Sequence, residues 1–119
     1  MNHRYYTNKI KLEEWGTSHI IDDIGIRPNT VAFIDVRVVV LRKNEHLEEV
    51  HSYKATVIRT GYTGYIRYMH PTYEIMHKGH ADTLNVSFDS KGLVIEVTNM
   101  YAGEAQFIVI TNIEEEELL

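Results

Sequence analysis

Long stretches of this chain alternate apolar and polar residues one by one. That period of two is the signature of a β-strand with one face buried. Thr83 to Asp89 sets Leu84, Val86 and Phe88 on one side, with Asn85, Ser87 and Asp89 on the other. Leu93 to Met100 repeats the pattern through Leu93, Ile95 and Val97. Val31 to Arg42 is longer and rich in β-branched residues. Ala32, Ile34, Val36, Val38 and Val40 line one of its faces, while Asp35 and Arg37 interrupt the other. Ala105 to Ile113 carries Phe107 and Val109 on one face and Ile108 and Ile110 on the other, the pattern of a strand covered from both sides.

Turn signals separate these runs. Asp89-Ser90-Lys91-Gly92 reads as a type I turn with Gly92 in the left-handed position. Tyr101-Ala102-Gly103-Glu104 reads as the next turn, so the last three strands are expected to form a meander. Upstream, Ser52 to Thr60 and Tyr65 to Met69 read as strands joined by Gly61-Tyr62-Thr63-Gly64. Two more strands are expected near Lys9 to Leu12 and His19 to Ile24, with Glu13-Glu14-Trp15-Gly16 as the corner between them. Asn44 to Glu49 is a loop or a short helical turn. Pro71 to Lys78 is expected to be helical, because proline suits the first helical position and Gly79 the place just past the last. The sum is a mainly β fold, an antiparallel β-sandwich or partly open barrel of seven to eight strands with one short helix near 71–78. At 119 residues, with no repeat and no linker, the chain reads as a single β-rich domain over 1–119.

Several function classes drop out. No cysteine is present, which removes disulfide frameworks, thiolate nucleophiles and cysteine zinc sites. A net charge of -5 does not suit a general grip on duplex DNA. The longest apolar run, Val38-Val39-Val40-Leu41, is far too short to span a bilayer, and Met1 to Tyr6 lacks the apolar run of a signal peptide. A soluble, cytoplasmic protein is therefore expected. No Gly-x-Ser-x-Gly elbow, P-loop, dinucleotide fingerprint or calcium loop occurs, so an enzyme is not the first expectation and no cofactor is expected.

One stretch carries a chemical lead. From Val50 to Tyr73 there is no Asp or Glu, while Lys54, Arg59 and Arg67 are positive. Arg59, Tyr62, Tyr65, Arg67, Tyr68 and His70 interleave with glycines that let a backbone approach a ligand. Guanidinium groups fork onto phosphate oxygens and phenol rings offer stacking faces. Gly61-Tyr62 and Gly64-Tyr65-Ile66-Arg67-Tyr68 follow part of the RNP1 order of RNA-recognition motifs. The inserted Thr63 breaks it, and three further strand regions would have no place in that fold. Gly61 to Gly64 also matches the loop of KH domains, but that loop joins helices and here its flanks read as strands.

Two weaker constellations remain. On a helix, Glu74 and His77 would share a face, with His80 just beyond, as candidate metal ligands. Asp22-Asp23, between isoleucines, reads as a strand end or turn. The first functional expectation is a non-enzymatic protein that captures an anionic, nucleotide-like ligand at the Arg/Tyr stretch, in a homo-oligomer. The alternative is a structural or protein-interaction β-sandwich module of a larger assembly, such as a virus particle. The third is a metal-dependent enzyme using Glu74, His77 and His80. Val31 to Leu41 is the segment expected at a sheet edge or in a central sheet.

Overall fold

The computed structural model describes residues 2–13, 15–42, 48–60, 66–77, 80 and 82–118, with the backbone alone at 48, 66–71, 76 and 77. Eight strands run through the described residues: β1 (Asn2–Leu12), β2 (Ser18–Gly25), β3 (Thr30–Arg42), β4 (Glu48–Arg59), β5 (Ile66–His77), β6 (Leu84–Phe88), β7 (Gly92–Thr98) and β8 (Ala105–Glu117). They make a large sheet of order β1-β8-β3-β4-β5 and a small sheet of order β2-β7-β6. All pairings are antiparallel. The expected sandwich is thus observed.

The core forms where the alternating apolar faces of the two sheets meet. Ala32, Ile34, Val36, Val38 and Val40 of β3 are buried, with Phe107, Val109 and Ile113 of β8 beside them. Leu93, Ile95 and Val97 of β7 close the core from the small sheet. β3 is the middle strand of the large sheet, the central of the two expected places.

Three expectations need correction. The helix expected from Pro71 does not form as far as His77, because β5 continues through it and pairs with β4. A register shift between Lys54 and Thr56 absorbs the proline in a bulge, and β5 is an edge strand, where a missing N–H costs least. Ile66, Tyr68, Thr72, Tyr73 and Ile75 also favour extended backbone.

The last three strands are not a meander. β6 and β7 pair, but β8 crosses to the large sheet and lies between β1 and β3. Asn99 fixes that crossing: its amide donates to the Gly103 carbonyl at 2.7 Å and the Leu12 carbonyl at 3.4 Å, and its Oδ1 accepts the Tyr101 amide at 3.1 Å.

Gly92 does not have a left-handed backbone; among the described glycines Gly16 and Gly103 do. Its hydrogen is needed for close approach. A Cβ there would strike the Ile24 carbonyl and lie 2.8 Å from Gly25 Cα. The turn itself is held by Asp89, whose Oδ1 accepts the Lys91 and Gly92 amides, each at 2.8 Å.

Candidate functional site

Of the predicted ligand residues, Arg59 and the backbone positions of Arg67 and Tyr68 fall toward one end of the large sheet. Arg59 closes β4, and its guanidinium donates to the Ile26 carbonyl and, at 3.4 Å, to the Lys91 carbonyl. It is a strut from the large sheet to the turns of the small one. Arg4 does the same from β1, donating to Gly25 O at 2.6 Å and to Glu115 Oε1 at 2.5 Å. Arg67 and Tyr68 occupy successive positions of β5, paired with Ile58 and Val57, and His70 lies within the nearby bulge. Tyr62 and Tyr65 lie outside the described residues.

The predicted metal residues spread along β5 and beyond. Glu74 pairs with Ser52 and His77 with Val50. A register shift between Val50 and His51 lies between them, and Ser52 and Val50 belong to one face of β4, so the backbone sets Glu74 and His77 at neighbouring positions of one face of the sheet. The His80 amide donates to Glu49 Oε1 at 3.1 Å. Among the described residues no three His, Asp or Glu side chains converge as metal ligands. Asp22 and Asp23 sit at the bulge of the edge strand β2, where exposed charge discourages stray strand pairing.

A cluster not foreseen in the sequence lies at the opposite end, buried at Arg42, Glu49, His51 and Asn99 and reaching the surface at Tyr73. Arg42 Nη2 donates to Glu49 Oε2 at 2.8 Å, and Arg42 Nη1 donates to Asn99 Oδ1 at 2.8 Å. The Arg42 guanidinium lies 4.4 Å from the centre of the Tyr101 ring. Glu49 Oε1 is 3.7 Å from His51 Nε2, and His51 Nδ1 meets the Tyr73 hydroxyl at 2.5 Å. Burial pushes the Glu49 carboxyl up, but His51, Arg42 and the His80 amide outweigh it and hold the group below its ordinary value. Burial, with the charges of Glu49 and Asp82, pushes the Tyr73 phenol up to about 12. Tyrosine, histidine and carboxylate in series suggest a nucleophile relay. The raised phenol argues against one. The arrangement is a buried clasp joining β3, β4 and β5 to the crossing at Asn99. Parity was the available signal: Arg42 extends the buried series of Ala32 to Val40, and Glu49 and His51 share the inward parity of Ala55 and Val57.

The other notable surface is the outer face of the large sheet. On β3 it presents Val31, Phe33, Asp35, Arg37, Val39 and Leu41. Phe33 is 44% exposed and Leu41 37%, while Val31, Val39, Ile108, Ile110 and Ile58 are half-buried. The small sheet packs on the opposite side, so among the described residues no element covers this face. Its relief is a shallow groove of about 440 Å³ beside Phe33, Asp35, Lys54 and Glu114, and a smaller one of about 170 Å³ between Arg37, Lys54 and Glu74.

No protein-family model matches the chain, and no curated protein matches it in sequence. Its fold is similar to part of the tailspike protein gp49 of Acinetobacter baumannii bacteriophage Fri1, a capsular polysaccharide depolymerase. The TM-score is 0.51 at 7% identity, over 98% of this chain and 18% of that one. The tailspike protein of Acinetobacter baumannii phage AM24 aligns with a TM-score of 0.49 at 9% identity, over 93% of this chain and 26% of that one. The tailspike protein of Acinetobacter phage vB_ApiP_P1 aligns at 0.40 and 15% identity, over 92% and 22%. At such identities the likeness to the first is one of fold. Among the described residues no helix is long and apolar enough to cross a membrane.

Proposed function

We propose that this chain is a structural β-sandwich module of a virus particle, and that it associates through the outer face of its large sheet. The observation that carries this reading is the imbalance between the two faces of that sheet. The inner face is sealed by the small sheet, while the outer face leaves Phe33 and Leu41 in solvent beside half-buried Val31, Val39, Ile108 and Ile110. Val39 and Leu41 adjoin Ile108 and Ile110 across β3 and β8, and an apolar patch spanning neighbouring strands is the kind that partner proteins cover. The fold likeness to a bacteriophage tailspike supports the virus-particle setting. Arg59, central to the ligand-capture expectation, is engaged with backbone carbonyls, which weakens that competing reading.

Sedimentation velocity tests the proposal. The wild-type chain is expected to sediment as a discrete assembly without added ligand. Phe33→Asp with Leu41→Asp should sediment as a folded monomer. A wild-type chain that stays monomeric at all concentrations, and melts higher with a nucleotide from a panel, would return the ligand reading to first place.

A further inference from the structure

We propose that two copies of this chain dock face to face through the outer faces of their large sheets, about a two-fold axis crossing β3 between Asp35 and Arg37. This rests on the assembly reading above and names the partner and the geometry.

The pattern on β3 carries the inference. β3 is the middle strand, and its outward residues are Val31, Phe33, Asp35, Arg37, Val39 and Leu41. Read inward from either end, the series is apolar, apolar, charged, and the two central charges are opposite. A two-fold axis lying between the sheets, perpendicular to β3, reverses the strand. It sets Asp35 against Arg37 of the second copy, Phe33 against Val39, and Val31 against Leu41. Each contact then occurs twice, as an isologous interface requires.

The flanking strands supply two further charge matches at their outer positions, while Ile108 on β8 would face the position of Glu114. Lys54 on β4 would face the position of Ser52, whose neighbour on β5 is Glu74. Lys9 on β1 would face the position of His3, whose neighbour on β8 is Glu114. With the strands of the two copies aligned, each lysine lies one strand spacing, about 4.8 Å, to the side of the carboxylate's position, within reach of long side chains. Lys9, Lys54, Glu74 and Glu114 are all exposed in the single chain. Within one chain Arg37 Nε and Nη2 each donate to Asp35 at 3.4 Å, and the Arg37 side chain is 56% exposed. That guanidinium is accessible to a second carboxylate.

The size also suits. With strands about 4.8 Å apart and rising about 3.3 Å per residue, the face offers about 800 Å² per copy. A standard specific interface buries about that much on each partner.

Charge exchange tests the geometry in the full-length chain. In Asp35→Arg, two arginines oppose two arginines across the axis; in Arg37→Asp, carboxylates oppose carboxylates. Each variant alone should self-associate at least about tenfold more weakly than wild type in sedimentation velocity. An equimolar mixture of the two should regain wild-type association, and so should the double variant Asp35→Arg with Arg37→Asp. Circular dichroism on each variant separates weakened association from lost folding, and the double variant keeps the pattern even if a single one folds poorly. Single variants that associate like wild type would overturn the two-fold docking. So would a mixture that stays dissociated while the double variant also fails to associate. If Phe33→Asp with Leu41→Asp still dissolves the wild-type assembly in that case, the assembly reading stands and only the two-fold geometry falls.

Discussion

Three arginines, Arg4, Arg42 and Arg59, tie the large sheet to backbone or side-chain groups of the small sheet and its connections. Hydrogen bonds from a charged donor each contribute about 1.5–3 kcal/mol. Arg59→Met should therefore lower unfolding free energy by about 2 kcal/mol in urea titrations, with the strand spectrum retained. Arg42→Met leaves the Glu49 carboxylate buried without its cation, and should cost more, about 3–5 kcal/mol. The same end of the molecule sets two pH limits. Glu49 is held below its ordinary value in the fold, so its contribution is complete above that value and is lost as pH falls toward the folded one. Tyr73 is raised from 10.0 to about 12, so its contribution is complete below pH 10.0 and is lost as pH rises toward about 12. Glu49→Gln should flatten the acid side of the stability curve, and Tyr73→Phe the alkaline side. The sequence showed Arg59 as a free cation because its stretch lacks acids. Its actual partners are carbonyls, which every residue carries and no composition reveals.

Among the elements, strand existence was legible and connectivity less so. The period-two runs at Val31 to Arg42, Thr83 to Asp89 and Leu93 to Met100 became β3, β6 and β7 because their apolar residues face one core. β1 proved longer than expected, beginning at Asn2, because the positions it turns inward include Arg4, Tyr6 and Asn8 and do not read as a buried stripe. The helix at Pro71 failed for a different reason. Proline and glycine mark ends without saying what lies between, and an edge strand with a bulge tolerates proline as well. The expected cover on both faces of β8 is half correct, since Ile108 and Ile110 lie on the outer side with no element over them among the described residues. Gly92 belongs to this scale too. Gly92→Ala would push a methyl group into the backbone of β2 at Ile24 and Gly25, where a side chain cannot simply rotate away. Overpacking of that kind should cost about 1–3 kcal/mol, and amide exchange should speed up in β2 and β7 before it does in β3.

The molecule as a whole is elongated, 52 × 21 × 20 Å, because β3 and β8 each run for 13 residues while the small sheet is shorter. A chain of this shape exposes one broad side of its large sheet, and the account holds that this side is a contact surface. The apolar half of that surface was visible in the sequence as Ile108 and Ile110. The charge pattern of Asp35 and Arg37 was visible as an interruption, but its symmetry acquires meaning only once β3 is known to be the middle strand. The absence of cysteine permits a direct test, since an introduced thiol is the only one to react. Phe33→Cys is labelled with a maleimide in dilute and in concentrated protein, with Ser90→Cys, at an exposed turn, as the control. The account predicts that labelling at position 33 slows at least about tenfold on concentration, as association removes the site from solvent, while position 90 keeps its rate. Equal rates at position 33 under both conditions would contradict it.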